Sequence, residues 1–162
     1  MMEVMKAVVE RRNIKQFKPD PVDRDQLMEW LQAASYAPNH RMAQPWEIVF
    51  IGPETRAKLN HKANFGDAPV VMAVLSKSAS TAIDRDENLI AVSCFIQNFS
   101  LIAWEAGVGV RWTSIGWKPE THEILGVPEG YDVVGVLGVG YPAEVPQPKA
   151  RTPMVEKVKY LP

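Results

Sequence analysis

Side chains that can bind an anion are concentrated in two short segments of this chain. Residues 11–15 (Arg-Arg-Asn-Ile-Lys) place three cations and an amide at the end of a predicted helix, and residues 149–151 (Lys-Ala-Arg) form a second cationic patch. The forked guanidinium of arginine and the compact ammonium of lysine both suit a phosphate or the electron-rich edge of a ring. The alternative is a solvated cluster that compensates the helix dipole.

Two other segments carry polar groups and an aromatic face. Residues 37–46 (Ala-Pro-Asn-His-Arg-Met-Ala-Gln-Pro-Trp) form a loop dense in amides that leads into a strand, and the alternative is a turn with a buried tryptophan. In residues 111–117, Trp112 offers a stacking face, and Thr113 and Ser114 offer hydroxyl and backbone N–H groups. The four segments together fit a ligand with a phosphate and a planar polar ring. Flavin mononucleotide (FMN) has both, although composition alone leaves the ligand open.

The elements that must position these segments follow from hydrophobic periodicity. The pattern predicts helices over 2–12, from Asp23 to before Pro38, over 54–61 and over 87–106, and strands over 46–51, 70–75 and 133–139. Helices alternate with three or four strands, in the order helix, helix, strand, helix, strand, helix, strand, strand. This order indicates a mixed α and β class without the regular β-α-β alternation of a doubly wound sheet.

Two predicted features indicate surface that is meant to be covered. The helix over 87–106 is apolar nearly all round, which is typical of a helix inside a core or an interface. Residues 142–162 carry five prolines and end in apolar side chains, so we expect an extended arm that lies on its own domain or on a partner subunit. The G-x-G-x-x-A match at 138–143 is rejected as a dinucleotide fingerprint, because the following prolines forbid the helix that it requires.

Composition excludes several classes of function. Eighteen Lys and Arg against 19 Asp and Glu give a net charge of −1, without the basic stripe of a nucleic-acid binder. The three histidines, His40, His61 and His122, lack metal-ligand spacing and are expected at the surface or in packing. The single cysteine, Cys94, excludes an internal disulfide and suits the cytoplasm. The longest uncharged run, 89–104, is too short and polar to span a membrane, and no signal peptide is predicted.

In their order and spacing, these motifs resemble the nitroreductase family of FMN-dependent oxidoreductases, and most of all its compact NAD(P)H nitroreductase subgroup. Residues 11–17 are similar to the family's R-R-S-x-R-x-F, and residues 34–46 to its A-P-S/D-H…Q-P-W. Residues 98–107 resemble its long central helix. Residues 138–142 (Gly-Val-Gly-Tyr-Pro), with the cations at 149 and 151, resemble its ending. The match extends over nearly the whole chain.

The resemblance implies an α+β, nitroreductase-like fold, with a central, mainly antiparallel sheet flanked by helices. Residues 1–162 would be a single FMN-binding domain with an extended arm over 142–162, acting as a homodimer with FMN at the subunit interface. Hydride would pass from NADH or NADPH to flavin N5 and then to a nitroaromatic, a quinone or a similar acceptor. No catalytic side chain and no metal ligand is expected. The residues implied to bind the cofactor are Arg11, Arg12, Asn13, Lys15, Pro38, Asn39, His40, Gln44, Trp112, Thr113, Ser114, Lys149 and Arg151.

Pro38, Asn39, His40 and Gln44 would reach the FMN of the other subunit, and Lys15 would stabilise the anionic reduced flavin. Two departures from the family pattern stand out. Asn13 replaces the usual serine, and residues 76–86 are predicted to be only a loop, where larger members carry an excursion over the substrate. The site is therefore predicted to be open. Two other hypotheses remain: a module that binds or senses FMN without turnover, and a structural dimer whose arginines only solubilise.

Overall fold

A computed structural model describes residues 3–162 and shows five α-helices and four strands within that range. The helices are α1 Val4–Glu10, α2 Arg24–Ala34, α3 Pro53–Leu59, α4 Ala82–Glu105 and α5 Pro119–Leu125. The strands are β1 Trp46–Phe50, β2 Val70–Lys77, β3 Gly109–Thr113 and β4 Tyr131–Gly140. Short 3₁₀ turns cover His40–Met42, Asn64–Asp67, Ile115–Trp117 and Met154–Glu156.

The four strands form one antiparallel sheet in the order β1-β2-β4-β3. The two central strands are the continuous apolar runs of the sequence, and nearly every residue in them is buried. The β2–β4 register shifts between Val74 and Leu75, so that strand β4 carries an extra residue at this point. The α+β class and the antiparallel sheet expected from the resemblance are confirmed.

Helices cover both faces of the sheet. On one face, α2 and α4 pack in a core that includes Phe95, Ile96 and Leu137. On the other face, a core that includes Leu59, from α3, and Phe65 packs against the sheet. Each large apolar side chain that is fully buried contributes about 1.5–3 kcal/mol to the free energy of folding. These two layers therefore stabilise the sheet.

The structure corrects the predicted bounds of two helices and adds a helix that was not predicted. Helix α4 begins at Ala82 instead of residue 87, because the Thr81 hydroxyl accepts a hydrogen bond from the backbone N–H of Asp84 at 3.1 Å and caps the helix. The loop predicted over 76–86 is therefore only the link 78–81. Helix α5, which lies between β3 and β4, was missed; a proline begins it, and Gly126, with φ 60°, ends it. Helix α1 ends at Glu10, and Met2 lies outside the described residues.

The segment after α1 runs along the outer edge of β3. The Ile14 N–H donates to the Val110 carbonyl at 3.1 Å, and the Asn13 side-chain oxygen accepts from the Trp112 N–H at 2.9 Å. Ile14 is fully buried against Gly109, where a Cβ would overlap its side chain. The first cationic segment is thus fixed to the sheet. Beyond β4 the chain is extended, and no helix follows Gly140 directly, as its prolines predict.

Candidate functional site

The two cationic segments meet in one cleft of ≈ 600 Å³ between the end of α1 and the C-terminal arm. Of residues 3–162, five cations and no carboxylate line it. The sequence predicted both patches, and the structure joins them across more than 130 positions of chain. The predicted residues that line this cleft are Arg11, Arg12, Asn13, Lys15, Lys149 and Arg151.

Arg11 is a cation of this cleft with a buried, unpaired side-chain nitrogen and a lowered pKa. Its Nε is buried and has no hydrogen-bond partner. Burial lowers the pKa of Arg11, and the charges of Arg12 and Arg151 lower it further. A lowered pKa on a basic group means that its charged form is disfavoured at this position. An anion in the cleft would supply both the missing acceptor and the missing negative charge.

Arg12 is used to build the cleft. Its Nη1 donates to the Val9 and Glu10 carbonyls at 2.8 and 2.7 Å, at the end of α1. Its Nε donates to the Pro146 carbonyl at 3.2 Å, which holds the arm against the helix. Arg12 was predicted to bind the cofactor directly, but these bonds give its guanidinium a positioning role as well.

Lys15 and Asn13 lie where this cleft meets the sheet edge. The Lys15 carbonyl accepts from Arg111 Nη1 at 2.6 Å, which fixes the backbone beside the sheet. Gly66, with φ 71°, packs on that carbonyl, and a Cβ there would overlap it. Asn13 lines the first cleft and also a second one, so the two clefts adjoin at this residue.

The second cleft, of ≈ 490 Å³, contains the predicted Trp112 segment. Trp112 is 39% exposed, and its indole N–H donates to the Val134 carbonyl at 3.4 Å. The indole lies against Gly135, where a Cβ would overlap its nitrogen. The ring is therefore held at the surface as a stacking face. This cleft is lined by Asn13, Asn60, His61, Lys62, Arg111, Trp112, Thr113, Ser114, Ile115 and Lys118.

The two hydroxyls of this segment differ. The Thr113 hydroxyl donates to the Val136 carbonyl at 2.8 Å and is buried. The expectation that the Thr113 hydroxyl serves a ligand is therefore corrected, because that hydroxyl stabilises the β3–β4 pair. Ser114 follows the strand and is exposed, so its hydroxyl remains accessible from the cleft.

His61 belongs to this cleft and was not predicted. Its Nδ1 accepts from the Phe65 N–H at 3.0 Å, and its ring stacks on Phe65 with centroids 4.4 Å apart. Burial lowers the pKa of His61, and the charges of Arg111 and Lys118 lower it further, so the imidazole is neutral at neutral pH. Packing was the predicted role and is present. No local spacing indicates that His61 also lines the second cleft, because the fold brings the other lining residues to it from β3 and beyond.

The loop with Pro38, Asn39, His40 and Gln44 lies apart from both clefts. The Asn39 side chain closes this loop: its Nδ2 donates to the Ala37 carbonyl at 3.2 Å, and its Oδ1 accepts from the Gln44 N–H at 3.0 Å. None of the four residues lines the clefts of its own chain described above. That they reach the flavin of another subunit stays a prediction.

A family model now decides the class of protein. The model of the nitroreductase family matches residues 8–64 and 54–141, which is most of the chain. The chain belongs to the nitroreductase family. The family assignment made from the sequence motifs is confirmed, and with it the expectation of an oxidoreductase of the nitroreductase type. The matched residues include the end of α1, the segment along β3 and all four strands, and they end where the arm begins.

Individual nitroreductases and related structures agree with this assignment. The chain is 32% identical to the candidate NAD(P)H nitroreductase YfhC of Bacillus subtilis strain 168, over 91% of this chain and 88% of that protein. It superposes on a nitroreductase-like family protein from Bacillus cereus with a TM-score of 0.90 and 30% identity, over 99% and 97% of the two chains. A candidate nitroreductase from Exiguobacterium sibiricum, solved in complex with FMN, shares the fold with a TM-score of 0.87 and 16% identity, over 99% and 98%.

Residues 3–162 contain neither a candidate membrane-spanning helix nor a candidate metal site. In this range no helix is both long and apolar enough to cross a membrane. Nor does the described part of the chain gather three or more His, Cys, Asp or Glu side chains in a position to hold a metal ion.

Proposed function

We propose that this nitroreductase binds FMN and passes hydride from NADH or NADPH to a nitroaromatic, a quinone or a similar electrophilic acceptor. The observation that carries the proposal is the first cleft, with five cations, no carboxylate and the unpartnered Nε of Arg11. The chain as a whole has a net charge of −1, so this concentration is local. A dianionic phosphate is the group that such a cleft suits best.

The donor set fits FMN. Arg11, Lys149 and Arg151 would hold the phosphate, while Arg12 keeps the arm in place. Asn13 and Lys15 would follow the cofactor towards the second cleft, where Trp112, Ser114 and the backbone of Thr113 would lie along the ring. When bound, FMN supplies hydride acceptance and release at N5. The ammonium of Lys15 would stabilise negative charge on the pyrimidine edge, and no side chain is assigned as an acid or base.

The relatives support this proposal. YfhC is named for NAD(P)H nitroreductase activity, and the Exiguobacterium protein with the same fold was solved with FMN. We place the activity in the cytoplasm, where the sole cysteine, Cys94, would remain reduced.

We further propose that residues 1–162 form one FMN-binding domain that works as a homodimer. Exposed apolar side chains on α1, α4 and the arm support a partner, because a monomer rarely leaves so many uncovered. In this dimer, Pro38, Asn39, His40 and Gln44 would contact the FMN of the other subunit. On α1, α4 and the arm, the most exposed apolar residues are Val4 (77%), Met5 (74%), Ile83 (75%), Val155 (81%), Tyr160 (92%) and Leu161 (91%).

The alternative is a protein that holds FMN without turnover. The four-residue link 78–81 between β2 and α4 favours this alternative, because no segment there is long enough to cover a substrate. Steady-state consumption of NADPH with a quinone or nitroarene separates the two functions. Repeated turnover supports the enzyme, and bound FMN without turnover supports the passive module.

The experiment that tests FMN binding is a titration of the flavin-free protein with FMN, followed by the quenching of flavin fluorescence and by light scattering for the mass. We expect one FMN per chain and the mass of a dimer. Riboflavin, which lacks the phosphate, is the matched ligand control and should bind much more weakly. Equal affinity for riboflavin and FMN would contradict the proposal that the first cleft binds the phosphate.

A further inference from the structure

The second cleft is cationic in its own right. Lys62, Arg111 and Lys118 line it, together with the neutral His61 and other neutral polar groups such as Ser114, and none of the acidic residues within 3–162 does. Both Lys62, which lies just after α3, and Lys118, which lies just before α5, line it. Their convergence depends on the fold, because more than fifty positions of chain separate them.

No carboxylate within residues 3–162 forms an ion pair with the cations of this cleft. Among residues 3–162 the one ion pair found within 4.0 Å joins Arg85 and Asp132, which do not line this cleft. Arg111 donates to the backbone carbonyl of Lys15, and no carboxylate within residues 3–162 forms an ion pair with it within 4.0 Å. In addition to burial, the charges of Arg111 and Lys118 lower the pKa of His61, so the positive potential of these cations extends to the histidine. Uncompensated cations around a cleft attract an anion from solution.

The position of the second cleft indicates which anion. It adjoins the first cleft at Asn13 and includes Trp112 and Ser114, which are proposed to lie along the flavin ring. FMN has one phosphate, and Arg11, Lys149 and Arg151 of the first cleft are already proposed to hold it. The charges of the second cleft are therefore available to a molecule other than the cofactor.

We propose that the second cleft binds the anionic group, a phosphate monoester or a carboxylate, of the small molecule that exchanges hydride at the cofactor. This inference rests on the proposed function. The group has two sources: the 2′-phosphate that distinguishes NADPH from NADH, or a carboxylate on the electron acceptor. Lys62 and Lys118 supply its charge, Arg111 supplies a directed guanidinium, and the neutral His61 supplies an Nε2–H donor.

The test compares matched substrates on the FMN-loaded wild type and on a Lys62→Gln/Lys118→Gln double variant. One pair is NADPH and NADH, and the other is 4-nitrobenzoate and 4-nitrobenzamide. We expect the wild type to prefer the member of one pair that carries the additional anionic group, and the double variant to lower the ratio of kcat/KM between that member and its counterpart by about tenfold or more. The pair that responds identifies the source of the anion. Lys58→Gln, on the exposed side of α3, is the control and should leave both ratios unchanged.

Three results would overturn the assignment. They are an equal loss for both members of a pair, no change in either pair, and a loss of FMN affinity in the double variant, which would show that the cofactor occupies the cleft. Binding of adenosine 2′-monophosphate and 4-nitrobenzoate by calorimetry provides a readout that needs no turnover. At least tenfold weaker binding of one of them by the double variant supports the cleft even if the wild type turns over neither pair, a result that would refute the proposed function alone.

Discussion

Arg11→Gln should change FMN affinity and the stability of the flavin-free protein in opposite directions. The Nε of Arg11 is buried without a partner, and the substitution removes a cation from a cleft that holds four others. A hydrogen bond to a charged group contributes about 1.5–3 kcal/mol. If Arg11 binds the phosphate, its loss should raise the Kd for FMN roughly 10- to 150-fold.

The stability effect follows from the sign of the pKa shift. Because the folded protein lowers the pKa of Arg11 below its ordinary value, the charged side chain is less favourable in the folded chain than in the unfolded one. At neutral pH, Arg11 therefore lowers the stability of the flavin-free protein. We expect Arg11→Gln to raise the melting temperature of the flavin-free protein, or leave it unchanged, and to reduce the increase that saturating FMN produces.

Fluorescence titration with FMN and thermal unfolding, each with and without the cofactor, check both expectations. Arg24→Gln is the matched control, because it removes the same charge from the exposed first residue of α2. The reasoning is refuted if Arg11→Gln weakens FMN binding no more than the control does. A fall of the flavin-free melting temperature would refute the second half, since it would show that Arg11 stabilises the folded chain without an anion.

Three further predictions concern stability. Gly66→Ala, at φ 71° and with a Cβ that would overlap the Lys15 carbonyl, should lower the free energy of unfolding by about 1–3 kcal/mol in urea denaturation; an unchanged midpoint would contradict this packing. Asp23→Ala removes the side-chain cap of α2 and should lower the same quantity by about 1 kcal/mol, whereas Asp23→Asn should largely retain it. Arg85 lowers the pKa of Asp132, so the stability that this pair adds is present above about pH 4 and is lost as the pH falls through the folded pKa of Asp132; Arg85→Gln should be less stable than wild type at pH 7, with a difference that shrinks on acidification, and a constant difference would contradict this.

Local patterns were sufficient for most of the fold. The continuous apolar runs became the central strands β2 and β4. Asp23, where the sequence predicted the start of a helix, caps α2 by accepting a hydrogen bond from the Gln26 N–H. The misses have local causes as well. Thr81 was not recognised as a cap, so α4 begins five residues earlier than predicted. Helix α5 has only seven residues, which is too short for a periodic signal.

The site was predictable only where charge is concentrated along the sequence. Residues 11–15 and 149–151 were found for that reason, and the fold joins them in one cleft. Isolated residues such as His61, Arg111 and Lys118 acquire meaning only when the sheet and its connections bring them together. The roles of Arg12 and the Thr113 hydroxyl were also beyond sequence reasoning, because hydrogen bonds to distant carbonyls decide what a side chain is free to bind.

Anaerobic reduction of the FMN-loaded protein tests the central claim most directly. The visible absorbance of the bound flavin is recorded while NADPH, and in a second titration NADH, is added without oxygen. The proposed function predicts bleaching that is complete at about one reductant per flavin, and return of the absorbance when a quinone or nitroarene is added. A protein that binds no FMN, or whose bound flavin stays oxidised with both reductants, would contradict the proposed function.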